Sequence, residues 1–169
     1  MNLIVAILPM PLSPTTDFRV IATHSPEDAC PEIVLEHTPS RQQLAFEGAQ
    51  LEGQFAMDNG FILLITDDVP FEERLVIYRL DQKLQVCESI TLGAAYTPGI
   101  IGDLQILSAS QLSFSFFNNE EVWVLELLAK PAWDRKPFQH PVRRTSGVFR
   151  RSSLRLYIKI EREQQMPMN

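Results

Sequence analysis

Cysteine, glycine, helix signals and long apolar runs are all scarce in this chain, and each scarcity removes a class of function. Two cysteines in 169 residues, Cys30 and Cys87, close at most one bridge, so no disulfide framework builds the fold. They read as two reduced thiols of a cytoplasmic protein, because disulfides persist mainly in oxidising compartments. Seven glycines leave little material for a phosphate cradle. The dinucleotide pattern G-x-G-x-x-G, the P-loop and the nucleophile elbow G-x-S-x-G are all absent. No apolar run approaches the roughly 18–20 residues of a membrane-spanning helix, so no membrane partner is expected. The run Leu3–Leu8 has no basic residue before it and is stopped by Pro9 and Pro11. It therefore reads as a buried strand rather than a secretory signal. The one helix signal, Ser25-Pro26-Glu27-Asp28, offers an N-cap, a proline at the first helical position and acids in the first turn. Pro31 limits that helix to about one turn.

Metal and nucleophile patterns are equally thin. His24, Cys30 and His37 are spaced H-x5-C-x6-H, without the closely paired ligands of a zinc site. A Cys–His pair drawn from Cys30 or Cys87 with His24, His37 or His140 is left to the tertiary fold. Cys87 reads as a packing residue or a free thiol. The acidic stretch Asp67, Asp68, Glu72, Glu73 offers oxygen ligands for a hard cation. It does not match a calcium-loop spacing, and a solvated hairpin tip that discourages edge pairing is the preferred reading. No cofactor is expected.

What the chain does have is alternation. Apolar content of 45% and charged content of 21% belong to an ordinary globular protein, and the length fits one domain spanning 1–169. Short apolar-alternating runs separated by turn residues predict antiparallel strands. The clearest unit is Leu51–Met57, Asp58-Asn59-Gly60 and Phe61–Thr66, where Asn-Gly predicts a type I′ hairpin turn. Further runs at Arg74–Leu80, Lys83–Leu92, Leu104–Leu107, Gln111–Phe117 and Glu121–Leu128 continue a meander. Residues 40–50 are ambiguous between helix and strand; the alternation of Leu44 and Phe46 favours a strand. Leu154, Leu156, Ile158 and Ile160 alternate with polar positions in a last, one-sided strand. Phe61–Ile65 and Val122–Val124 are apolar at every position, which requires cover on both faces. The N-terminal segment, residues 130–150 or a second copy of the chain could supply that cover. Together these features predict a mainly β fold with little helix. Roughly eight to ten strands form an antiparallel meander that makes a sandwich or a partly closed barrel. The expected core includes Phe55, Phe61, Leu63, Ile65, Val76, Tyr78, Ile90, Leu112, Phe114, Phe116, Val122, Val124 and Leu127.

Charge is distributed unevenly. Residues 1–128 carry 18 acidic and 5 basic side chains, net −13, and residues 129–169 carry 3 acidic and 10 basic, net +7, which makes the chain −6. The first part reads as an acidic meander and the second as a basic connector plus a final strand. The basic part interleaves Lys130, Arg135, Lys136, Arg143, Arg144, Arg150, Arg151, Arg155, Lys159 and Arg162 with Trp133, Phe138, Phe149 and Tyr157. Arginine on phosphate and aromatic rings on bases is the chemistry of single-strand nucleic-acid binding, so Arg143, Arg144, Arg150, Arg151 and Trp133 are the candidate binding residues. The competing reading is that these arginines neutralise the acidic strands. Arg143-Arg144-Thr145-Ser146 and Arg150-Arg151-Ser152-Ser153 also match a basic-directed phosphorylation pattern. The preferred expectation is a non-catalytic protein-interaction module, with a protein partner or a homo-oligomer. Nucleic-acid binding through residues 130–162 is one alternative, and a β-barrel that holds a small ligand or an active site is the other.

Overall fold

The computed structural model describes residues 11–69, 71–117, 120–133, 141–144 and 151–159. The expected strand at Leu3–Leu8 lies outside them, as do His140, Ile160 and the aromatic residues Phe138 and Phe149. Thirteen strands and no helix occur among the described residues. In chain order they are β1 (Ser13–Pro14), β2 (Phe18–His24), β3 (Glu32–His37), β4 (Gln42–Glu47), β5 (Gln50–Met57), β6 (Gly60–Thr66) and β7 (Leu75–Leu80). There follow β8 (Val86–Leu92), β9 (Gly99–Ser108), β10 (Gln111–Phe117), β11 (Val122–Trp133), β12 (Val142–Arg144) and β13 (Arg151–Lys159).

The strands form three antiparallel sheets, none closed into a barrel. A six-stranded sheet has the order β1-β5-β6-β7-β8-β12, a four-stranded sheet β13-β11-β10-β9, and a three-stranded sheet β2-β3-β4. β2–β4, β5–β8 and β9–β11 pair as sequential meanders, while β1 and β12 add to the edges of the six-stranded sheet and β13 to the edge of the four-stranded sheet out of sequence order. The reason for three sheets is visible in β6 and β7. Ile62, Leu64, Leu75 and Ile77 enter one core with Leu112, Phe114, Phe116, Trp123, Leu125 and Leu154 of the four-stranded sheet. Their neighbours Leu63, Ile65, Val76 and Tyr78 enter a second core with Phe18, Ile33, Leu35 and Phe46 of the three-stranded sheet. Because side chains alternate across a strand, continuous apolar sequence in β6 is the mark of a sheet covered on both sides. The N-terminal strands β2–β4 provide the cover, so no second copy is needed for it.

Several local expectations are corrected. The Ser25–Asp28 segment is a turn, not a helix; His24 pairs with Glu32, and a single helical turn does not repay its nucleation cost inside so short a link. In the β5–β6 hairpin Met57 pairs with Gly60, and positive φ occurs at Gly60 (142°) but at neither Asp58 nor Asn59. The turn is therefore not type I′. Glycine is required at position 60 because a Cβ there would overlap the Leu80 carbonyl oxygen. Val122 is exposed and leaves the expected core, whereas Phe61 and Leu127 are half-buried and pack against it. Residues 40–50 do form a strand, β4, and Leu154 is fully buried as the last strand requires.

Candidate interaction surface

Two connections at one end of the six-stranded sheet are tied by hydrogen bonds while presenting apolar side chains to water. The β6–β7 connection is closed by an Asp67 N–H bond to the Arg74 carbonyl and by Arg74 Nε donating to Asp67 Oδ2 at 2.5 Å. Inside it, Glu73 accepts the backbone N–H groups of Asp68 (2.8 Å) and Val69 (2.9 Å). Burial pushes the Glu73 carboxyl above its ordinary value, against the lowering effect of those backbone bonds. Asp68 sits in the left-handed region at φ 57°. The β8–β9 connection turns at Thr97 N–H to the Ala94 carbonyl (3.2 Å). It is tied to the first by Tyr96 N–H donating to Glu72 Oε1 at 3.3 Å. Tyr96 is likewise left-handed, at φ 55°. The two connections leave Phe71 77% and Tyr96 89% exposed, and Ile100, just inside β9, 83% exposed.

The acidic stretch is thus divided rather than wholly solvated. Asp67 and Glu73 are buried within the loop, and Asp68 and Glu72 face water. Among the described residues no group of histidine, cysteine, aspartate and glutamate side chains is placed to hold a metal.

Beside this loop end an open groove of about 560 Å³ runs over the last residues of β10. Gly99 and Gly102 of β9 pair with Phe117 and Ser115 of β10. A Cβ on Gly99 would stand 2.6 Å from the buried Phe116 ring, which favours glycine there, whereas one on Gly102 would meet only the rotatable Ser115 Oγ, at 2.8 Å. Their bare backbone forms the floor. Ile100, Phe117 and Val122 supply apolar walls, and Asp103, Glu120 and Glu121 supply carboxylates.

The basic segment is dispersed. Arg144 is buried on β12, where its Nη1 lies 3.0 Å from Glu88 Oε1, with both side chains under one-tenth exposed. The same guanidinium bonds Ser152 Oγ at 2.6 Å. Ser152 Oγ also donates to Glu88, and Ser153 N–H donates to Glu88 Oε2 at 2.9 Å. This cluster fastens β8 and β12 of one sheet to β13 of the next, at the border of the first core. Arg155 pairs with Glu126 at 3.3 Å on the surface. Arg151 lies over the Trp133 ring at 5.8 Å, and Arg143 is exposed on β12. Arg150 lies outside the described residues, as do Arg135, Lys136, Arg162 and the Thr145-Ser146 pair. Of the five candidate binding residues, then, Trp133 and Arg151 come together, Arg143 is separately exposed, and Arg144 is withdrawn into an ion pair.

Among the described residues no hydrogen bond joins any two of Cys30, Cys87, His24 and His37. His37 is buried against the Phe18 and Phe61 rings, with Nδ1 2.8 Å from Ser40 Oγ. Cys30 is exposed beside Arg74 Nη2 at 3.4 Å. Cys87 and His24 are exposed on other strands, so Cys87 is a free surface thiol and not a packing residue.

Sequence reading did not single out Phe71, Tyr96 or Ile100. The available signal was an aromatic residue inside an acidic, proline-bearing connection, where no strand periodicity accounts for it. Comparisons with protein-family models, with curated proteins and with solved structures found no match for this chain.

Proposed function

We propose that the chain is a non-catalytic protein-interaction module whose contact surface is the loop end built around Phe71 and Tyr96. The observation that carries this reading is the exposure of two aromatic side chains on connections fixed by their own hydrogen bonds. Aromatic residues dominate binding energy at protein interfaces, and connections already ordered lose little entropy on docking. The exposed Asp68 and Glu72 at the same end favour a partner with a basic surface. Self-association through strands apolar on both faces loses its motive, since β2–β4 already cover β6 and β7. Among the described residues the nucleic-acid alternative keeps Trp133, Arg143, Arg151, Lys130, Arg155 and Lys159 at the surface, with Arg155 paired to Glu126.

The test compares capture of partners from the source cell by the wild-type chain, by Phe71→Ala/Tyr96→Ala and by Trp133→Ala/Arg143→Ala/Arg151→Ala. The expected result is a protein retained by wild type and by the basic-patch variant, and weakened at least roughly tenfold by the aromatic variant. Capture that survives loss of both aromatic rings overturns the reading. Nuclease-sensitive capture that the basic-patch variant abolishes replaces it with the nucleic-acid alternative.

A further inference from the structure

We infer that the outward face of the β11–β13 pair, built on Trp133, Arg151 and Arg155, binds single-stranded nucleic acid, as a second contact surface that does not depend on the loop end. Side-chain alternation fixes what this face carries. Ser152 turns in to bond Glu88, and Leu154 enters the first core. Arg151, Ser153, Arg155 and Tyr157 therefore project from the other side of β13. Their partners on β11 face the same way: Trp133 stands opposite Arg151, Glu126 opposite Arg155 and Val124 opposite Tyr157. The strand thus presents two guanidinium groups and a phenol ring in a row, with an indole beside the first. β13 is the last strand of its sheet, so the row runs along an open border. Arg151 and Arg155 are about 13 Å apart at ~3.3 Å per residue, which places them on different phosphates of a bound strand.

The charges of this face are in excess over their counter-charges. Glu126 is the single carboxylate on the two strands. It pairs with Arg155 at 3.3 Å, and the arginine side chain stays 55% exposed. An exposed pair of this kind holds its members weakly, so the guanidinium can turn to a phosphate. Arg151 rests on the Trp133 ring, 5.8 Å from its centroid, and makes no ion pair among the described residues. Lys130, in the irregular stretch between Leu127 and Ala132, is exposed and likewise makes none among them. Lys159 is left out of the site, because it stands opposite Val122, next to Glu120 and Glu121 in the chain. Arginine grips phosphate oxygens through its planar fork. Trp133, 60% exposed, offers a ring on which any unpaired base can stack. A duplex keeps its base faces inside the helix, and an acidic peptide has no base to stack, so the indole favours a single strand over both. The net charge of −6 does not oppose this contact, since salt screens charges beyond about 8–10 Å at physiological ionic strength.

The probe is a fluorescein-labelled oligothymidylate of about ten nucleotides, within the range one such surface covers, titrated with the full chain and followed by anisotropy. A labelled duplex of the same length and a labelled polyglutamate peptide are the controls. The single strand is expected to bind more tightly than either. Its affinity should fall with salt at a log–log slope of about −2, for three phosphate contacts at about −0.7 each. Arg151→Gln/Arg155→Gln should flatten that slope to about −0.7. Trp133→Ala should weaken binding roughly tenfold, the scale of one lost stack, and leave the slope as it is. Circular dichroism checks that each variant is folded. Absence of binding at low salt overturns the inference, and so does a slope or an affinity that these variants do not change. Equal binding by polyglutamate overturns it in favour of an acidic protein segment, and equal binding by the duplex overturns the single-strand assignment. Phe71→Ala/Tyr96→Ala should leave the titration unchanged; loss of oligonucleotide binding in that variant overturns the placement on β11 and β13.

Discussion

Removing Arg144 while leaving Glu88 in place tests whether the basic part of the chain is structural at this point. In the native fold the pair is under one-tenth exposed on both sides at 3.0 Å. Substituting Arg144→Met leaves a buried carboxylate without its counter-charge, a change that costs roughly 3–5 kcal/mol. Glu88 keeps the Ser152 hydroxyl and the Ser153 N–H, which places the expectation at the lower end, about 3 kcal/mol. For a chain of this size that lowers the melting temperature by roughly 6–12 °C. The double variant Glu88→Leu/Arg144→Met removes both charges together and is expected to recover most of the loss, because desolvation of the pair disappears with it. Circular dichroism during urea and thermal unfolding reads both quantities, and the three variants with wild type close a double-mutant cycle. A melting temperature for Arg144→Met within about 2 °C of wild type would show that the guanidinium is not desolvated against Glu88. A double variant less stable than either single one would refute the electrostatic account of the cluster.

Other consequences are equally direct. Gly60→Ala should destabilise by more than the roughly 1 kcal/mol of an ordinary strained turn, since the added methyl meets the Leu80 carbonyl; a melting temperature equal to wild type would contradict the packing. Glu73 has a folded-state pKa raised above 4.5 by burial, so its proton is held more firmly in the folded chain. Its contribution is present at acid pH and is lost as pH rises through the raised value. The stability of wild type relative to Glu73→Gln, measured by urea midpoint, should therefore be greater at pH 4 than at pH 7; a flat difference refutes this. Tyr78 is pushed up to about 12 by burial, with its hydroxyl donating to the Glu47 carbonyl. Stability should fall between about pH 10 and pH 12, by an amount on the order of 3 kcal/mol. Tyr78→Phe should remove that slope from alkaline unfolding curves, and persistence of the slope would assign it to other groups.

The strands were legible because their periodicity is local. Leu112, Phe114 and Phe116 alternate with serines and do enter one core, and Leu44 with Phe46 correctly favoured a strand over a helix. The uniformly apolar β6 announced a strand covered twice without indicating the cover. That cover is β2–β4, whose sequence carries ordinary alternation and no mark of its destination. The turn at Asp58-Asn59-Gly60 was misread because Asn-Gly usually supplies two positive φ values. Here the pairing of Met57 with Gly60 and the proximity of Leu80 leave only the glycine in that region. The interaction surface was the least legible part. Phe71 and Tyr96 are 25 residues apart, and their connections meet through contacts such as the bond from Tyr96 N–H to Glu72.

By itself the sequence determined the fold class, through side-chain alternation with a period of two, and the division of charge into an acidic and a basic part. Both are properties of neighbouring residues and need no contact to be read. The tertiary structure decided what the charge is for. Arg144 is buried against Glu88, 56 residues away, because β12 returns to the edge of the sheet beside β8. Arg155 pairs across strands with Glu126, while Arg151 rests on an exposed Trp133. The same residue type therefore serves as a buried clasp, a surface pair and an aromatic contact within one short segment. Desolvation distinguishes these roles, and desolvation depends on which strands meet.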